Sequence, residues 1–190
     1  MTVEALALAS TVTSGAVAFL VIAYRLARAA RLSALPELTL IASGFGVLGF
    51  AQALSLASYF PVDERDAYTF YVGSASFSLA GYSLILLAKG KGSNAGLYAI
   101  NPALLLASSI DIVSGLLALL VAYSSRGIAR ACFASLALSH VLRAIPLVGG
   151  GLHVITPLSP LVLLGEVVRV VSASVLALYY AKGALRVEEE

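Results

Sequence analysis

The chain has little charge and few of the residues on which soluble enzymes and metalloproteins depend. Of its 190 residues 12% are charged, one is cysteine, two are histidine and none is tryptophan. The lone Cys132 excludes an intrachain disulfide, a C-x-x-C redox pair and a thiolate metal site. His140 and His153 lack the spacing of a zinc or haem ligand set, so no metal site is expected. No G-x-S-x-G elbow and no acidic pair of catalytic type is present. Gly44, Gly46 and Gly49, with Ser43, sit in the middle of an apolar run, which is no place for a phosphate loop; they form a small-residue stripe that lets helices approach closely. These absences point to a protein that is not an enzyme, with no catalytic residues, no cofactor and no nucleic-acid partner.

What is present is apolar: 60% of the residues are hydrophobic. Uncharged stretches of about 20 residues cross a bilayer as helices, because lipid offers the backbone no hydrogen-bond partner. Such runs lie at about 7–24, 38–60, 68–88, 128–148 and 161–181, with a longer one over 97–123. They predict an all-α, polytopic transmembrane helix bundle of six or seven spans, a single integral membrane domain over 1–190 whose first partner is the lipid bilayer. No room is left for a soluble domain of even about 50 residues. The first run follows no basic segment and reads as a retained span, not a signal peptide.

Charge decides the reading of the long run. As one crossing, it puts Arg25, Arg28, Arg31, Lys89 and Lys91 on one side and Arg65, Arg126, Arg130, Lys182 and Arg186 on the other, an even split that sets no orientation. A turn near Ser108, Ser109 and Asp111 moves the last four beside the first five and leaves Arg65 alone. Seven spans are therefore favoured, with the N-terminus outside, a cytoplasmic tail at 184–190, and a fourth element that is either a crossing or a re-entrant helix.

Weak internal similarity agrees with that parity. Residues 44–54 align with 135–145, Ala88-Lys89-Gly90 with Ala181-Lys182-Gly183, and Ser14-Gly15 with Ser114-Gly115. The plan is 3+1+3: repeat 1 over about 7–90, a linking helix over about 95–108, and repeat 2 over about 111–183, in the parallel orientation used by some transporters.

Charge inside the spans marks the candidate site. His140 and Arg143 are three apart, as are Glu166 and Arg169, so each pair shares a helix face. Counting outward from a loop centred near 154.5, Arg143 falls level with Glu166, and His140 with Arg169. An Arg143–Glu166 ion pair follows, since an arginine at mid-membrane costs about 2.5–3.5 kcal/mol unless it faces the bundle. Arg169 has no evident acidic partner except Asp111, which serves equally as a helix N-cap. Gln52, aligned with Arg143, reads as an interhelical hydrogen-bonding group. Tyr59, Tyr68, Tyr71, Tyr179 and Tyr180 cluster at span ends as an aromatic belt. Repeat 1 thus offers little polar chemistry beyond Gln52. The cluster is either a polar pocket, with His140 titratable and Glu166 a proton or cation site, or a structural lock between helices.

An apolar helix ending in Tyr24, the basic stretch Arg25-Leu26-Ala27-Arg28-Ala29-Ala30-Arg31 and a following Gly/Ala/Ser-rich span together resemble uncharacterised archaeal multi-pass membrane proteins. They also resemble the membrane input domains of sensor kinases, although this chain stops about eight residues after the last span with no kinase domain. The 3+1+3 outline is similar to small sugar transporters of the SWEET type, whose Pro-Gln motif is absent. The resemblance implies a sensing or partner-docking module in the cell membrane. It would work with a separately encoded partner or as a homo-oligomer. The alternative is a small-solute or proton-coupled transporter or channel.

Overall fold

The structure, a computed structural model, describes residues 3–60, 63–89, 110–150 and 160–188. Six helices account for almost all of them: α1 (Val3–Ser33), α2 (Pro36–Tyr59), α3 (Glu64–Lys89), α4 (Ile110–Tyr123), α5 (Gly127–Gly150) and α6 (Pro160–Glu188). Five are long and apolar enough to cross a membrane. α4, with 14 described residues, spans about 21 Å at 1.5 Å per residue. The linking helix expected over 95–108, and with it Lys91, Ser108, Ser109 and His153, lies outside the described residues.

Local chemistry sets the helix limits. Pro36 opens α2 at a position where its missing N–H costs nothing, behind an extended Leu35. The reversal before it is made by Ala34, whose N–H bonds Ala30 O at 2.9 Å with φ at +54°, a left-handed cap more often given to glycine. Gly127 makes the corresponding turn between α4 and α5 at φ +56°. Arg25, Arg28 and Arg31, expected in a loop, belong instead to α1, because a stretch of alanine, leucine and arginine favours helix over turn. The tail expected at 184–190 is likewise helical to Glu188.

Each helix packs on its neighbours in sequence, and α6 closes on α1, so the six form a ring. Close approaches fix the directions. Gly44 of α2 meets Gly81 of α3: a Cβ on either would stand 2.8–2.9 Å from the other's carbonyl oxygen, so the two backbones touch. Gly49 turns to α1, where a Cβ would come within 2.9 Å of Leu20, while Gly46 has only Ala23 Cβ at 3.9 Å. In the second half Gly115 of α4 faces Ala137 and His140 of α5, and a Cβ on Gly165 of α6 would stand 3.0 Å from Ser139 O. All these pairs are antiparallel.

Two seams are parallel. On α3 and α4, Tyr71 meets Asp111 near the helix starts, Ser114 Oγ donates to Ala75 O at 3.1 Å, and Lys89 Nζ donates to Ser125 Oγ at the far ends. On α1 and α6, residues 10–14 share a groove with 167–171, and residues 13–21 share one with 174–181. Helices α1, α3, α4 and α6 therefore run one way, from what we term the upper end to the lower, and α2 and α5 run back. Arg25, Arg28, Arg31, Lys89, Arg126, Arg130 and Lys182 all lie toward the lower end.

The lower half of the ring is filled with rings and aliphatic chains. Phe45 is the hub, its centroid 6.2 Å from Phe19, 6.1 Å from Phe133 and 5.6 Å from Tyr180. Ile85, Leu117, Val121 and Leu176 complete the apolar core.

Candidate functional site

The upper half is filled differently. Asp111, Glu166, Arg143, Arg169, His140 and Gln52 are 0–3% exposed and meet in one network inside the ring. The sequence places them on four elements, Gln52 on α2, Asp111 on α4, His140 and Arg143 on α5, Glu166 and Arg169 on α6, and the ring turns each inward. In each pair at i, i+3 one helix face carries both side chains, so a single azimuth of α5 and of α6 buries all four.

Glu166 is the most heavily contacted group. Its Oε2 accepts from Gln52 Nε2 at 2.6 Å. Its Oε1 accepts from Tyr59 OH at 2.8 Å, from Ser55 Oγ at 3.4 Å and from Arg169 Nη1 at 3.4 Å. The expected ion pair is present as well, with Arg143 Nη1 at 3.5 Å from Oε1. Gln52 is held at both ends of its amide, because Oε1 accepts from Arg169 Nη1 at 3.2 Å while Nε2 donates to Glu166. That arrangement assigns the amide orientation. Burying a carboxylate costs several kcal/mol, and here the penalty is offset by two guanidinium charges and three neutral donors.

Asp111 anchors the second half of the network. It accepts from Tyr71 OH, its Oδ1 is 2.7 Å from His140 Nδ1, and its Oδ2 is 3.7 Å from Arg143 Nε. It does not face Arg169, whose acidic partner is Glu166 one turn away on its own helix. The partner expected across helices is thus replaced by an i, i+3 contact along α6. His140 Nε2 lies 3.2 Å from Tyr82 OH. The neutral tautomer that suits both neighbours carries its proton on Nδ1, donates to Asp111 and accepts from Tyr82. Arg169 Nη2 then meets that N–H at 3.4 Å without a hydrogen bond, and Arg169 Nε reaches Ser139 Oγ, also at 3.4 Å. With His140 neutral, two guanidinium and two carboxylate groups balance.

The tyrosines correct the sequence reading most. Tyr59 and Tyr71, expected in an aromatic belt, are buried and donate to Glu166 and Asp111, and Arg143 lies over the Tyr71 ring, 5.4 Å from its centroid. Tyr180 is packed against Phe45 in the core. Tyr68 and Tyr179 are exposed, as a belt requires. The signal for the buried ones was spacing: Gln52, Ser55 and Tyr59 fall at i, i+3, i+7, and Tyr71, Ser74, Ser78 and Tyr82 at i, i+3, i+7, i+11, each a polar stripe along one helix face. The first three helices thus contribute far more than Gln52 to the network.

Chemically the arrangement can hold charge, orient amide and hydroxyl donors, and exchange a proton along Tyr82, His140 and Asp111. Among the described residues no three of His, Cys, Asp and Glu converge as metal ligands. Among the described residues, three buried side-chain atoms have no hydrogen-bond partner: Arg143 Nη1, Arg143 Nη2 and Ser74 Oγ. No protein-family model, curated protein or solved structure matches the chain.

Proposed function

We propose that the chain is a non-enzymatic, seven-crossing membrane module that senses a signal in its polar core or docks beside a partner, with its lower, basic end in the cytoplasm and its N-terminus outside. The observation that carries this reading is the charge-balanced network, which ties every helix except α1 through named side chains. A bundle held by directional contacts has discrete packings, and a change in the charge or donors of the network shifts the balance between them. What supports the parity is the two parallel seams, by which α3 ends at the lower end while α4 begins at the upper. The excess of basic residues at the lower end supports the orientation. Cysteine labelling from either side should find positions 28 and 126 on the same, cytoplasmic face; opposite accessibility would restore six spans.

Purification from native membranes tests the function. A stoichiometric partner is the expected result, and a lone homo-oligomer that moves solute would reject the module. Transport is the second reading, favoured by the up-down-up order of α1–α3 repeated in α4–α6 and by polar groups converging from both halves. Its test is flux into proteoliposomes that disappears in a folded Glu166→Gln variant.

A further inference from the structure

The geometry points to a binding site for a small monocarboxylate at the terminal edge of the Arg143 guanidinium. A guanidinium is a planar fork of five N–H donors, and the edge bearing Nη1 and Nη2 accepts a carboxylate through two parallel hydrogen bonds. In this bundle that edge is the part left without hydrogen bonds. Arg143 is 2% exposed, yet among the described residues neither Nη1 nor Nη2 has a hydrogen-bond partner. Its ion contacts, Nε to Asp111 at 3.7 Å and Nη1 to Glu166 at 3.5 Å, are too long to satisfy those protons. Every other charged side chain of the network makes at least one hydrogen bond of 3.4 Å or less. Ser74, one turn along α3 from the Tyr71 ring that lies against the guanidinium, is buried and has the third unpartnered polar atom.

Arg143 lies toward the upper end, level with Glu166 in the second turn of α6 and Asp111 in the first turn of α4, the side we read as outside. The tight burial of its neighbours limits the ligand to a few non-hydrogen atoms.

Charge identifies the chemistry further. The network is balanced with His140 neutral, and a carboxylate adds one negative charge. It enters with a proton, which the His140 ring takes up. The groups facing that ring are Asp111 from α4, Tyr82 from α3, Arg169 from α6 and Arg143 from its own helix, while Gln52 and Tyr59 of α2 face Glu166. Tyr82 OH can turn to accept from a protonated Nε2 as readily as it donates to a neutral one.

The inference rests on the sensing reading only for its biological meaning, since a bound carboxylate would be equally visible in a transporter. The test uses the full chain purified in detergent, titrated separately with sodium acetate, sodium chloride and acetamide and followed by thermal unfolding and saturation-transfer NMR. Saturable acetate binding is expected, raising Tm by about 5 °C and tighter at pH 5.5 than at pH 8. Arg143→Lys keeps the charge and loses the fork, and should weaken acetate at least tenfold. Absence of saturable acetate binding would overturn the inference and leave the edge to water. An equal effect of chloride or acetamide, or equal affinity at both pH values, would overturn it too. If the lysine variant fails to fold, the three wild-type titrations decide the matter, and none of these results bears on whether a protein partner co-purifies.

Discussion

The upper and lower halves of this ring solve one problem by different means. Both must hold helices together where lipid is as apolar as a leucine side chain, so burial of hydrocarbon gives little net gain. The lower half relies on shape: Phe19, Phe45, Phe133 and Tyr180 interlock, and many small substitutions of similar volume should be absorbed. The upper half relies on partners with fixed geometry, and there a single lost partner strands a charge. The difference teaches that the network defines which packing the ring adopts, while the aromatic core defines how tightly that packing is held.

The largest effect should come from breaking the network's balance. Glu166→Gln strands Arg169 without an acidic partner, leaves Asp111 as the single buried carboxylate against two guanidinium charges, and should cost about 3–5 kcal/mol in reversible detergent unfolding. The double change Arg143→Gln/Glu166→Gln restores equal numbers of charges and should be more stable than the single one. A double-mutant cycle with additive losses would show that the two groups do not interact.

Overpacking probes the contrast at the level of the backbone. Gly44→Ala drives a Cβ to 2.8 Å from Gly81 O and 2.6 Å from Ile85 Cγ1, and should cost about 2 kcal/mol as α2 and α3 separate. Gly46→Ala, with its nearest contact at 3.9 Å, should cost little and serves as the control. Equal losses in the two variants would mean that α2 and α3 do not touch backbone to backbone at Gly44.

A smaller effect separates buried from exposed tyrosines. Tyr59→Phe removes one donor to Glu166 and should lower stability by about 1.5 kcal/mol, whereas Tyr68→Phe should leave it unchanged. No difference between them would return Tyr59 to the belt. The smallest change is a gain: Ala34→Gly relieves the left-handed φ of +54° and should stabilise by about 0.5–1 kcal/mol in the same unfolding assay.

The helical bundle was legible because a run of about 20 apolar residues has few alternatives in a membrane. The register of α5 against α6 was legible too, since a short connection makes helices antiparallel and i, i+3 charges then find each other, as Arg143 and Glu166 do. The azimuth of residues with two plausible environments was not. A tyrosine near a helix end suits either the headgroup layer or a buried carboxylate, so Tyr59 and Tyr71 were assigned by their position along the helix alone. Only the stripes they share with Gln52, Ser55 and Ser74 distinguish the two. The end of α1 was misread for a related reason, because arginine both marks a membrane boundary and continues a helix.

The length of α6 gives the network mechanical reach. From Glu166 to Glu188 the helix continues for 22 residues, about 33 Å at 1.5 Å per residue, and α1 extends beside it in the same direction. A tilt of about 5° pivoting at the carboxylate moves the far tip by about 3 Å over that length. A displacement too small to break a single hydrogen bond at Glu166 thus becomes, at the basic end, a step large enough to open or close a contact with whatever stands there.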